Sequence, residues 1–255
     1  GYQDNDFFHM NWGWNGSDDG FYQFQNMYAG GINFDVTRMS AYIGMQPNDG
    51  STILQDTFWS ADTLFFDNSI AIAEGVTVGV NAGSRVEFAE ESYLKIFGTM
   101  LANGTDSLPI EFCASDSASG WYGITFENSG GHMDNNDTSY FNNCIIKHGK
   151  KQNNPWNGVF ASSNYRKIHG GGVYIMKYSN MKFTECKFKY NGAVSGGGIM
   201  LDGHIMGAGS SPLIENCEIS NNLSAIFAGS IYINHGSEVK LINSMVFNNK
   251  SNYID

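Results

Sequence analysis

Between Gly170 and Asn249 the sequence repeats itself, and this limits the folds open to the chain more than any other feature. Three times a small-residue triplet opens a short alternating segment: Gly170-Gly-Gly-Val-Tyr-Ile, Gly196-Gly-Gly-Ile-Met-Leu and Ala228-Gly-Ser-Ile-Tyr-Ile. Each is followed by a second segment of one pattern: Phe183-Thr-Glu-Cys-Lys-Phe, Ile214-Glu-Asn-Cys-Glu-Ile and Leu241-Ile-Asn-Ser-Met-Val. Each second segment runs into asparagine, at Asn191, Asn221-Asn222 and Asn248-Asn249. A looser copy precedes them in Gly123-Ile-Thr-Phe and Phe141-Asn-Asn-Cys-Ile-Ile. Self-similarity at such a spacing is the mark of a solenoid.

The period within each copy selects the kind of solenoid. Val173 and Ile175 flank Tyr174, Ile199 and Leu201 flank Met200, and Ile231 and Ile233 flank Tyr232. This is period two, the pattern of strands with one buried face. Helical repeats need apolar spacings of three and four over longer runs, and none occurs here. A strand aligned with its own copy pairs with it in parallel, about 4.8 Å away. The expected object is therefore an all-β chain built around a parallel β-helix. Asparagine suits bends between strands because it tolerates the left-handed conformation. The glycine triplets do the same, or let backbone pass close to backbone.

Composition agrees and narrows the partners. The 255 residues include 31 Gly and only 4 Pro, with 14% aromatic side chains, which suits strands joined by many turns. A net charge of −11 with 14 basic residues argues against nucleic acid or an anionic membrane as partner. No apolar run is long enough to span a bilayer, and no signal peptide is visible. Cys144, Cys186 and Cys217, continued by Ser244, share one column of the repeat. No pair of cysteines has metal-finger spacing, which argues against a zinc site. The simplest reading is a stack of small buried thiols acting as apolar filler, with disulfides between stacked neighbours as the alternative.

The first 47 residues do not share the repeat. The run from Asp6 to Phe24 is a strand, a Gly-rich turn and a second strand. Its core, Phe8-His9-Met10-Asn11-Trp12-Gly13-Trp14, resembles the end of the catalytic domain of streptopain-like cysteine peptidases, a papain-like fold. The closing segment Ala41-Tyr-Ile-Gly-Met-Gln-Pro47 is similar to the same family's domain end. The resemblance implies that Asn11 and Trp12 orient and shield the catalytic His, with Trp14 in the same wall. His9 matches the family motif's second, non-catalytic His. The resemblance also implies a catalytic His shortly before Gly1 and a nucleophilic Cys far upstream. Peptide cleavage needs a thiolate paired with an imidazole, so this chain alone is expected not to cleave protein. Without the resemblance, Trp12 and Trp14 are the aromatic core of a β-hairpin.

Residues 48–68 form a polar join containing Trp59, expected as a linker or N-terminal cap. Short alternating runs follow, from Ile70-Ala-Ile-Ala-Glu-Gly-Val-Thr-Val through Trp121-Tyr-Gly-Ile-Thr-Phe. This order resembles the right-handed β-helix modules of secreted bacterial proteins, a family that includes pectate-lyase-like enzymes. The β-helix is expected over residues 69–255. Its last repeat ends at Asn252-Tyr-Ile-Asp255 without a recognisable cap, so the chain is expected to be cut from a longer protein.

Candidate sites fall outside the interior columns. Thr125, Tyr174, Met200 and Tyr232 form an outward column whose rings suit stacking on sugars or packing under loops. Insertions 127–140 and 202–212 leave the same edge of the solenoid, about 10 Å apart. They carry His132, Asp134, Asp137, Asp202 and His204, a set with the chemistry to hold a divalent cation or simply to form loops. The insertion 150–169 carries Trp156, Tyr165, Arg166, Lys167 and His169, and its departure from the opposite junction predicts no convergence with the first two. The ligand-contacting residues expected are Tyr174, Tyr232, Trp156 and Tyr165, with no cofactor and no metal expected. The chain is thus read as a piece of a secreted or surface-displayed cysteine peptidase joined to a β-helix for binding or display. Its partners are a protein substrate for the parent peptidase and a carbohydrate or cell-surface ligand on the β-helix. The alternatives are a carbohydrate-binding or polysaccharide-degrading β-helix and a purely structural or adhesive solenoid.

Overall fold

Four columns of parallel strands account for nearly all regular structure after Thr52. The computed structural model describes residues 52–127, 139–151, 168–176, 179, 181–203 and 209–252, and the backbone of four short strands between Phe7 and Phe34. The chain divides into two units, Gly1–Ile43 and Gly44–Asp255. In the first, Phe7–Met10 pairs antiparallel with Gly20–Gln23, and Met27–Ala29 with Ile32–Phe34. Asn11, Trp12 and Trp14 lie outside the described residues.

In the second unit each coil visits the same faces in turn, and three sheets hold seven strands each. The first face runs through Ile124–Glu127, Val173–Met176, Ile199–Asp202 and Ile231–Asn234. The second runs through Ser139–Asn142, Met181–Thr184, Leu213–Glu215 and Lys240–Ile242. The third runs through Cys144–Lys147, Lys187–Lys189, Glu218–Ser220 and Met245–Phe247. A shorter fourth face of four strands joins Lys150–Lys151, Gly192–Ser195, Leu223–Phe227 and Lys250–Ser251. Like residues stack in register, Val173 on Ile199 on Ile231 and Phe188 on Ile219 on Val246.

Two expectations change here. The supposed join is the first coil: Thr52–Ile53, Thr57–Trp59 and Thr63–Phe66 pair with the first strands of the three faces. Trp59 is buried there and packs on Phe66 at 5.1 Å. The polar residues that suggested a linker are the outward half of short alternating strands. Secondly, each second segment is two strands, because Asn143, Glu185, Asn216 and Asn243 take positive φ and turn the chain from the second to the third face.

A further bend leaves the third face at His148, Tyr190, Asn221 and Asn248, again with positive φ. The asparagines that follow, Asn191, Asn222 and Asn249, are not bend residues but an inward ladder. Asn191 Nδ2 donates to Asn222 Oδ1 at 3.1 Å, and Asn222 Nδ2 to Asn249 Oδ1 at 2.9 Å. Each also ties down backbone, as when Asn222 Nδ2 donates to the Phe188 carbonyl at 2.9 Å. The glycine triplets fill both expected roles. Gly170 and Gly196 have φ of 65° and 63°, and a Cβ on Gly171 would stand 2.5 Å from the Gly197 carbonyl.

The cysteine column is present and is more than filler. Cys186 N donates to Cys217 Sγ at 3.3 Å, and Cys217 N to Ser244 Oγ at 3.0 Å. All four cysteines are free thiols, so stacked neighbours are not joined by disulfides. Aliphatics and thiols share the interior with a run of rings: Phe66 on Phe88 at 5.2 Å, and Phe88 on Trp121 at 4.6 Å. In the last coil Leu241 and Val246 continue interior columns yet are 41% and 44% exposed.

Candidate functional site

The strand order brings three insertions to the borders of the first face. Residues 128–138 follow Glu127 and residues 204–208 follow Gly203, both on the way to the second face and two coils apart. The sequence expectation of a shared edge therefore holds for their flanking strands. Residues 152–167 interrupt the fourth face instead. Lys151 pairs with Ala193 on one side of the break, and His169 bridges Ser195 on the other. The chain re-enters immediately before the first-face strand Val173–Met176.

This placement corrects the expectation that the long insertion stays away from the others. Its two flanking residues converge with the start of the 204–208 insertion at the corner of the first and fourth faces. His169 interacts electrostatically with both Lys151 and Asp202. Tyr174 Oη donates to Asp202 Oδ2 at 3.0 Å. Asp202 Oδ1 lies 2.6 Å from Nδ1 of His235, whose side chain is half exposed. Lys151 Nζ sits 5.5 Å from the centroid of the Tyr174 ring.

Burial sets the chemistry of this corner. Lys151 is 1% exposed, and its Nζ has no hydrogen-bond partner among the described residues. Loss of solvent brings its pKa down to about 7. Burial also takes His169 down to about 4, helped by the Lys151 charge and opposed by Asp202. At neutral pH the corner therefore holds a neutral imidazole beside an amine close to its titration point.

The outward column Thr125–Tyr174–Met200–Tyr232 is in register as expected. Its exposure is not as expected, because Thr125, Tyr174 and Met200 are all buried. The ring of Tyr174 is covered and bonded to Asp202, so it is not an open stacking platform. Tyr232 is half-buried and stacks on Phe227 at 5.4 Å, and Phe227 is exposed. Asp202 is engaged by Tyr174 and His235, and no cluster of three or more metal-ligating residues occurs among the described residues. Trp156, Tyr165, His132, Asp134, Asp137 and His204 lie outside those residues.

Sequence reasoning missed Lys151 and His235. Lys151 occupies a column otherwise filled by Ala193 and Ser224. A long cation in a column of small residues was the available signal, hidden by the insertion that breaks the strand. His235 takes positive φ directly after the first-face strand Ile231–Asn234, and the sequence there resembles an ordinary turn.

No curated protein and no solved structure matched the chain. A match was found to one family model, described as right handed beta helix region, over residues 101–255. With more than half of its length matched and its sheets parallel and in register, the chain belongs to the right-handed β-helix family.

Proposed function

We propose that the β-helix is a binding module, secreted or displayed at the cell surface, joined to the C-terminal strands of a streptopain-like cysteine peptidase domain. The observation that carries the binding role is the convergence of insertion borders on one corner, where Lys151, His169, Tyr174 and Asp202 are buried together. Ligand sites are commonly built from loops on a rigid scaffold, and a stack of coils is such a scaffold. The peptidase parentage is supported by the Phe8-His9-Met10-Asn11-Trp12-Gly13-Trp14 motif and by the antiparallel pairing of Phe7–Met10 with Gly20–Gln23.

Two measurements test the two halves. The whole chain is incubated with casein and, separately, applied to a glycan microarray beside a β-helix of unrelated sequence. Intact casein together with selective retention of a glycan class is the expected result. Retention no better than the control removes the binding role. For the parentage, the coding sequence upstream of Gly1 is expected to encode a nearby His and a more distant Cys in a Gly-rich setting. Their absence removes the peptidase.

A further inference from the structure

We infer that the outer surface of the second face, over its first three coils, is a groove that binds a short neutral oligosaccharide. The inference goes beyond the reading above, because this ligand lies away from the corner and needs none of its residues. The groove measures about 700 Å³, and its lining includes Asp56, Phe58, Gly79, Asn81, Leu101 and Asn103. An apolar floor of that size with a few polar groups at its rim is the usual make-up of a ligand site. Phe58, Gly79 and Leu101 stand in register on successive coils. The Phe58 ring lies over Gly79, where a Cβ would overlap Cδ2 and come within 2.7 Å of Cε2. Gly79 is not at positive φ, so the backbone does not call for glycine there. The ring does, and it is held against the strand while 54% exposed. Leu101 beside it is 38% exposed, so the apolar floor is open to solvent.

The rim selects the ligand. Asn81 and Asn103 directly follow the paired residues Val80 and Ala102, which places two exposed amides on neighbouring coils at one edge of the floor. An amide offers two donors and an acceptor, the complement of adjacent hydroxyls. At the other edge Asp56 already accepts from the Thr77 N–H at 2.8 Å. Among the described residues no Lys, Arg or His lines the groove, and the chain carries a net charge of −11. A carboxylate, sulfate or phosphate therefore finds no counter-charge here. A ring with C–H groups on its face and hydroxyls around its edge fits both parts, the face on Phe58 and Leu101 and the edge on the amides. A pyranose with equatorial hydroxyls is such a ring. The column continues from Leu101 to Tyr140. From Phe58 that is three steps of about 4.8 Å, roughly 14 Å in all, which suits several linked sugar units rather than one.

Isothermal titration calorimetry on the full chain tests the groove with cellotetraose and xylotetraose, beside glucose and tetragalacturonate as controls. At least one neutral tetrasaccharide is expected to bind at millimolar concentration or below, with both controls weaker by about tenfold or more. Phe58→Ala is expected to weaken binding about tenfold. Gly79→Ala keeps the ring but pushes it off the strand, and is expected to do the same while retaining the far-UV circular dichroism of the wild type. Asn103→Ala, at an exposed amide, is expected to cost roughly threefold and keeps the test decisive should the other two fail to fold. Neutral tetrasaccharides that bind no better than glucose, tighter binding of tetragalacturonate, or unchanged affinity in any folded variant each overturn the groove. Glycan-microarray retention that survives Phe58→Ala and Gly79→Ala retires the groove and leaves the corner. Retention lost in both moves the binding role from the corner to the groove.

Discussion

Replacing Asn222 by alanine removes the centre of the asparagine ladder, and the structure gives the size of the loss. The side chain donates to the Phe188 carbonyl and Asn249 Oδ1, and its Oδ1 accepts from Asn191 N at 3.0 Å and Asn191 Nδ2 at 3.1 Å. Asn191 Nδ2 keeps the Ile146 carbonyl, and Asn249 Oδ1 keeps the Asn222 backbone N–H. The Asn191 N–H loses its acceptor in a fully buried position. One orphaned buried donor at about 1–3 kcal/mol and three further bonds at about 0.5–1.5 each give roughly 2.5–7.5 kcal/mol. Asn249→Ala, in the partly exposed last coil where water replaces the lost partners, costs about 1 kcal/mol. Urea unfolding followed by far-UV circular dichroism measures both. Equal losses for the two variants, or a loss under about 1 kcal/mol for Asn222→Ala, would refute the ladder as a buried hydrogen-bonded element.

The buried amine and the thiols give further outcomes. Folded Lys151 sheds its proton near pH 7, whereas in the unfolded chain it keeps it to about 10.5. Between these values the unfolded state binds more protons, so stability rises with pH; the burial penalty is full below pH 7. Wild type should gain up to about 4 kcal/mol from pH 7 to 10 relative to Lys151→Met in urea titrations, and parallel profiles would contradict it. Burial raises the Cys113 thiol to about 11 and pushes Cys186 well above its usual range. Cys217 is raised first by its hydrogen bond with Cys186 and then by burial. Ellman titration should therefore find no fast-reacting thiol in the native chain and four in denaturant; a fast native thiol overturns the buried column.

What the sequence disclosed and what it hid follow from the same physics. Alternation around Tyr174, Met200 and Tyr232 survives in any register, so the first face and its parallel pairing were legible. The thiol column was legible because Cys144, Cys186 and Cys217 keep one place in their copies. The bend inside each second segment was not, because Glu185 holds positive φ with none of asparagine's signature. The fourth face was hidden too. Gly192–Ser195 is buried at every position and shows no period-two contrast, while Lys150–Lys151 is broken off by an insertion. The corner itself was least visible. Whether Lys151 and His169 return to one place depends on strand register across the gap, which composition and spacing do not encode.

The core of the account is that neighbouring copies lie side by side in one register, and oxidative cross-linking measures that most directly. Lys182 and Leu213 are paired across the second face, whereas Glu215 lies two residues further along the same strand. Paired Cα atoms about 4.8 Å apart are within disulfide reach, and the offset pair is beyond it at about 7–8 Å. Lys182→Cys combined with Leu213→Cys should close rapidly under mild oxidation, while Lys182→Cys with Glu215→Cys stays open. Equal closure of both pairs, or closure of the offset pair alone, would contradict the stacked β-helix.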